Sequence, residues 1–182
     1  MALGSRTTLI RGEAYLTVPW KNGGGTTREI VAGEGYRLSV ATIASDGWFS
    51  DFSGYDRTIV PISGDGIALT IDGITTVLDE PFVPLEFAGE ARTWCRLLGG
   101  AAEDFNVMTE RSRWKHSVNV CRVRDRRLQL AIGPLCFIYV LEGTVLGAGA
   151  GDTVCLKGPD ALELEHEHGP ALACVVSLFT AT

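Results

Sequence analysis

Histidine is scarce in this chain: His116, His166 and His168 are the only three in 182 residues. No Ser–His or Cys–His nucleophile pair can be assigned around so few imidazoles. There is no C-x-x-C pair, which removes the usual signature of a zinc knuckle or a dithiol redox centre. No apolar run approaches the roughly 18 residues that would span a bilayer, and MALGSRTTLIRGE at the start lacks the apolar core of a secretory signal. A net positive charge is also missing. The formal net charge of −6 argues against a general nucleic-acid role, because phosphate binding needs a positive face. Helical periodicity is almost absent along the whole sequence.

What is present fits a globular β protein. Apolar residues make up 46% and charged residues 21%, an ordinary balance for a packed domain. A chain of this size buries roughly 70% of its unfolded surface, so no disulfide or metal is needed to hold it together. The five cysteines, Cys95, Cys121, Cys136, Cys155 and Cys174, are scattered and mostly sit inside apolar runs. They read as buried free thiols of a reducing cytoplasm.

Short β-patterned runs bounded by Gly, Asp and Pro recur throughout. Arg37–Ile43 alternates as a half-buried strand. In GIALTIDGITTVL, Ile67, Leu69 and Ile71 fall on one face, and Asp72-Gly73 supplies a two-residue hairpin turn. Leu135–Leu141 reads as a strand buried on both faces, Thr153–Leu156 as another, and Ala171–Phe179 as the last. The pattern predicts an all-β sandwich or barrel. IVPISGDG from Ile59 can be laid over IYVLEGTV from Ile138, which suggests two similar β-modules. The division is placed at residues 1–105 and 106–182.

Four ordered motifs, WKNGGGTTREI from Trp20, DGWFSDFSGYDR from Asp46, GDGIALTIDG from Gly64 and DFNVM from Asp104, resemble the HutD/Ves family of bacterial proteins. The similarity runs from about Val18 to Val176. It implies a bicupin, two cupin-type β-sandwich or barrel modules in one compact chain. It also implies an association with bacterial histidine utilisation in a non-enzymatic or regulatory capacity.

The glycine triplet Gly23-Gly24-Gly25 is costly in chain entropy, so the backbone there must either adopt left-handed angles or pass close to something. The expectation is a turn that aims polar side chains into a pocket. Lys21 and Asn22 project from one side. Thr27, Arg28 and Glu29 follow on the strand, with Thr26, Arg28 and Ile30 pointing one way and Thr27, Glu29 and Val31 the other. Arg28 offers a planar fork suited to a carboxylate. Arg57, just ahead of an apolar strand, would need Asp56 or a bound anion as partner. Trp20, Trp48, Phe49 and Tyr55 supply apolar walls. The candidate ligand-binding set is therefore Trp20, Lys21, Asn22, Thr27, Arg28, Glu29, Phe49 and Arg57. Asp104 and Asn106 read as turn formers at the module junction. Catalysis would have to rest on Glu29, Lys21 or Asp56, and nothing in the sequence fixes their geometry.

Many cupins hold a divalent ion with several histidines and an acid. His166-Glu167-His168 has the alternation for two ligands, but Gly169-Pro170 follows at once and the first module has no His-x-His. A solvated acidic turn is the better reading, and no metal or other cofactor is expected. The basic run from Arg111 alternates Arg122, Arg124 and Arg126 with Cys121, Val123 and Asp125 as one solvated strand face. No RNA-binding signature accompanies it. It is expected to pair with glutamates near Glu163 or to form a contact in a homodimer. The sequence thus reads as a cytoplasmic, metal-independent bicupin that binds a small carboxylate metabolite as a sensor or regulator, with no nucleic-acid or membrane partner. The alternative is a cupin enzyme, an isomerase or hydrolase acting on such a carboxylate.

Overall fold

The computed structural model describes residues 7–123, 128–158, 161–164 and 169–182. Among these, every regular element is a β-strand except one 3-10 turn at Gly12–Ala14. In chain order the strands are β1 (Thr7–Ile10), β2 (Leu16–Pro19), β3 (Gly25–Gly33), β4 (Tyr36–Ile43), β5 (Gly47–Trp48), β6 (Tyr55–Ser63), β7 (Ile67–Ile71), β8 (Ile74–Leu78), β9 (Leu85–Ala88) and β10 (Thr93–Leu97). They continue with β11 (Ala102–Glu110), β12 (Trp114–Val123), β13 (Leu128–Ala131), β14 (Leu135–Glu142), β15 (Thr144–Val145), β16 (Ala148–Gly149), β17 (Thr153–Lys157), β18 (Ala161–Leu164) and β19 (Ala171–Thr180). No helix among the described residues is long and apolar enough to cross a membrane.

The chain divides into two compact units, Tyr15–Arg113 and a second made of residues 1–14 with Trp114–Thr182. Residues 105 and 106, where the division is expected, lie inside β11, which runs on to Glu110, and the break between the units falls after Arg113. The first residues join the C-terminal unit because β1 pairs with β17, Thr7 opposite Leu156. Nothing local to Thr7–Ile10 announces a partner so far along the chain.

The Tyr15–Arg113 unit is built from a six-stranded sheet, β2-β3-β4-β11-β6-β9, and a four-stranded one, β5-β10-β7-β8. Ile43, Ile59 and Ala102 of the first sheet pack against Ile67, Leu69, Leu78 and Cys95 of the second. Burying these side chains contributes about 1.5–3 kcal/mol for each large aliphatic one. The β7–β8 hairpin turns at Asp72 (φ 48°) and Gly73 (φ 88°), both in the left-handed region that an Asp-Gly pair tolerates.

The other unit has a five-stranded sheet, β1-β17-β14-β19-β12, and two short ribbons, β13-β18 and β15-β16. Val145, Ala148 and Leu164 from the ribbons complete an apolar core with Cys136, Ile138, Val140, Ala173 and Val175. All five cysteines are free and buried. Arg122 is exposed on β12, while Arg124, Arg126, His166 and His168 lie outside the described residues.

Candidate functional site

The glycine triplet closes the β2–β3 hairpin. Gly23 takes φ +72° and donates its N–H to the Trp20 carbonyl at 3.0 Å, while Trp20 N–H reaches the Gly25 carbonyl at 2.9 Å. Asn22 Oδ1 accepts from Gly24 N–H at 3.0 Å, a side-chain cap of the turn. Gly25 answers a different demand. A Cβ there would lie 2.3 Å from the Thr42 carbonyl oxygen and 3.1 Å from the Trp20 ring. The turn thus presses the indole inward, where its Nε1 donates to Thr27 Oγ1 at 2.8 Å and its ring packs on the apolar core.

Beyond Trp20 a cavity of about 560 Å³ opens within this unit. Its floor is the inner face of the six-stranded sheet, ordered in rungs by strand register. Thr27, Ala41 and Asp104 form one rung, Ser39 and Asn106 the next, and Arg37, Met108 and Arg57 a third. In β11 the alternation sends Asp104, Asn106 and Met108 to this face and Phe105 and Val107 to the other. Where β11 pairs with β6, the register shifts at Glu103/Asp104. Such an irregularity re-aims side chains beside a site. Trp20, Trp48, Phe49 and Phe52 wall the cavity, with Lys21 and Asn22 at an exposed edge.

Arg57 dominates the floor. It is only 8% exposed, and its guanidinium carbon stands 5.2, 5.3 and 4.9 Å from the ring centres of Phe49, Phe52 and Phe87. Such ring contacts return part of the cost of burying a cation. Phe87 is its direct cross-strand neighbour on β9. Arg57 Nη2 donates to Asn106 Oδ1 at 3.3 Å, and Asn106 Nδ2 donates in turn to Asp104 Oδ1. Two polar atoms of this chain, Arg57 Nε and Asp104 Oδ2, are buried without a hydrogen-bond partner among the described residues. Orphans of this kind are rare and costly in folded proteins.

Burial lowers the Arg57 pKa to about 10, with Asp104 opposing that shift and Arg37 adding to it; the side chain stays cationic at neutral pH. Burial raises the Asp104 carboxyl to about 7, against the pull of Arg57 and the Asn106 hydrogen bond. Cys95, on the facing sheet, is pushed up to about 12 by burial and by the nearby Asp104 and Asp46. The floor therefore offers a fixed cation, an amide and a carboxyl that titrates near neutrality.

Of the residues expected at a site, the structure brings Trp20, Lys21, Asn22, Thr27, Phe49 and Arg57 around one cavity. Arg28 and Glu29 are not among its lining. Arg28 alternates to the opposite face from Thr27 and pairs with Glu103 at 2.9 Å. The Glu29 carboxylate is taken by Arg37 at 2.8 Å. Asp56 does not partner Arg57; it accepts from Arg111 at 2.5 Å, and the same guanidinium also holds Glu90. Asp104 and Asn106, expected as turn formers, stand instead in the middle of β11, 1% and 6% exposed. The signal that points to them is the alternation in Asp-Phe-Asn-Val-Met, where two polar residues interleave with large apolar ones. No three His, Cys, Asp or Glu side chains come together as a metal site among the described residues. An arginine at the centre of the floor is also the wrong donor set for a cation.

Two facing sheets around a lined cavity place the chain among cupin-like folds. The chain path matches a cupin 2 conserved barrel domain protein from Leptotrichia buccalis with a TM-score of 0.61 at 11% identity, covering 88% of this chain and 92% of that one. The chain belongs to the HutD family, whose model matches residues 12–178. A solved structure of HutD from Pseudomonas fluorescens SBW25 is 31% identical, with a TM-score of 0.83 over 96% of this chain and 98% of the other. A protein from the hutC 3′ region of Pseudomonas putida is 42% identical over 118 residues, 61% of this chain and 62% of that protein's length. Protein Ves of Cronobacter sakazakii is 33% identical over 130 residues, 68% of this chain and 70% of Ves.

Proposed function

We propose that the cavity of the Tyr15–Arg113 unit binds a small carboxylate-bearing metabolite, and that the protein acts as a sensor or regulator linked to histidine utilisation. The observation that carries this reading is Arg57: a cation 8% exposed, braced by aromatic rings, whose Nε–H has no acceptor among the described residues. A planar guanidinium with a free N–H, in a mostly apolar pocket, suits a carboxylate. The location of the Pseudomonas putida relative beside hutC supports the link to histidine utilisation. No metal is assigned to the site.

The two units are read as duplicated cupin modules whose inner faces differ at corresponding described positions. Gly64 after β6 and Gly143 after β14 both take positive φ, and both abut the first residues of the strand that pairs back, Ala101–Ala102 and Pro170–Ala171. In this correspondence Arg57, Asp104 and Asn106 match Cys136, Ala173 and Val175, all packed in an apolar core. The second module is filled where the first is lined.

Thermal unfolding against a panel of small acids and their amides, N-formylglutamate and urocanate included, tests the proposal. A ligand at 100 times its Kd stabilises by roughly 2.7 kcal/mol, or about 5–10 °C at this size. Arg57→Ala should abolish the shift. No shift with any acid, or an undiminished one in Arg57→Ala, rejects the site. A second reading, a cupin isomerase or hydrolase acting on a carboxylate, is favoured by one feature: Asp104 titrates near neutrality inside the cavity, as a general acid or base does. Turnover of the same panel that is lost in Asp104→Asn would establish it.

A further inference from the structure

Arg57 Nε and Asp104 Oδ2 flank Asn106, which accepts from the arginine and donates to the aspartate. All three side chains come from adjacent strands and share the inner face of one sheet. A ligand carboxylate has two oxygens, both acceptors only. One is met by Arg57 Nε–H. In a ligand that satisfies both orphaned atoms, the other oxygen would meet Asp104 Oδ2, and two carboxylate oxygens attract each other only when one of them holds a proton.

Counting charge gives the same answer. With Asp104 neutral, Arg57 and the ligand form a balanced pair on the floor. With Asp104 ionised, one buried cation faces two anions, and burial penalises the excess. We infer that the cavity takes its carboxylate ligand together with one proton, which Asp104 Oδ2 carries and donates to the ligand oxygen. This inference rests on the carboxylate reading of the cavity and adds its proton dependence.

The charged and titratable groups that act on Asp104 are Arg57 from β6, Cys95 from β10 and Glu103 on its own strand, while Arg37 from β4, paired with Glu29 of β3, acts on Arg57. Lys21 lines the same cavity, and Asp46 lies near Cys95. Arg57 and Cys95, at about 10 and about 12, keep their charge states across neutrality, whereas the Asp104 carboxyl at about 7 does not. Affinity for the anion should therefore be flat below about pH 7 and fall about tenfold per pH unit above it. Neutral amides should show no such fall.

The test uses benzoate and benzamide as probes, because benzoate stays ionised and benzamide neutral over the range from about pH 6 to pH 9. Calorimetric titration of the full chain in buffers of differing ionisation enthalpy gives both Kd and protons bound. The expected result for benzoate is uptake of about one proton near pH 8 and a Kd that rises about tenfold between pH 8 and pH 9. Asp104→Asn, whose amide N–H replaces the acid O–H, should bind benzoate with a flat profile and no proton uptake. Flat affinity with no uptake in the wild-type chain overturns the proton coupling while leaving the carboxylate site standing. Binding of benzamide without benzoate, or of neither, overturns both. The proton count in the wild-type chain decides the matter even where Asp104→Asn fails to fold.

Discussion

Replacing Asp104 by Asn should stabilise the chain at alkaline pH. Burial raises the Asp104 pKa from 3.8 to about 7, so the folded state holds this proton more tightly than the unfolded state does. The consequence is opposite to that of an ordinary salt-bridged carboxylate. The contribution to stability is full below about pH 4, declines as pH rises, and is lost once pH passes about 7. A shift of roughly three units corresponds to about 4 kcal/mol. The substituted amide would mimic the protonated acid, accepting from Asn106 and presenting an N–H where the acid presents its O–H. The variant should match the wild-type chain within about 1 kcal/mol near pH 4 and exceed it by up to about 4 kcal/mol near pH 8. Urea unfolding followed by tryptophan fluorescence reads this well, because Trp20, Trp48 and Trp94 all lie in the Tyr15–Arg113 unit. With a slope of about 2 kcal/mol per molar urea, the midpoint should move upward by about 2 M near pH 8. Equal or lower stability of Asp104→Asn near pH 8 would mean that the carboxylate is ionised and well satisfied in the fold, refuting the reasoning.

Three other outcomes follow from the geometry. Arg28→Ala should leave carboxylate binding intact and cost less than about 1 kcal/mol, because its pair with Glu103 is partly solvated; calorimetry and unfolding on one sample check both. Gly25→Ala should destabilise by about 1–3 kcal/mol or more, since the Thr42 carbonyl and Trp20 ring occupy the space of a Cβ. Gly23→Ala meets open space and should cost only about 1 kcal/mol for its positive φ; thermal unfolding of the pair separates the two roles. The buried thiols Cys136 and Cys174, both pushed up to about 12 by burial, should resist a thiol-reactive dye at neutral pH and react only as the chain unfolds.

Much of the fold is legible in the sequence because its signals are local. An Asp-Gly step between alternating apolar residues specifies the β7–β8 hairpin, and the unbroken apolar run at Leu135 specifies β14. The site is half legible. Trp20, Lys21, Asn22 and Thr27 flank a glycine turn whose inward press is written in its own residues. Arg28 misleads because its partner, Glu103, lies 75 residues away, and one step of strand alternation decides which face it takes. Asp104 and Asn106 resemble turn residues by type, since their composition alone favours loops. Only pairing with β4 and β6 turns their alternating positions into a buried polar face. The unit boundary is hidden for the same reason: the pairing of β1 with β17 spans most of the chain.

Contact between the Arg57 guanidinium and a carboxylate is the central claim, and the Nε–H of that side chain can be watched by nitrogen-15 NMR. Titration with benzoate near pH 6 is expected to move the Arg57 Nε–H resonance in step with occupancy and to slow its exchange with solvent, because the buried donor, without a partner among the described residues, gains an acceptor. Saturable binding that leaves this resonance unmoved while the Lys21 signals shift would place the anion at the cavity edge, and the central claim would be wrong.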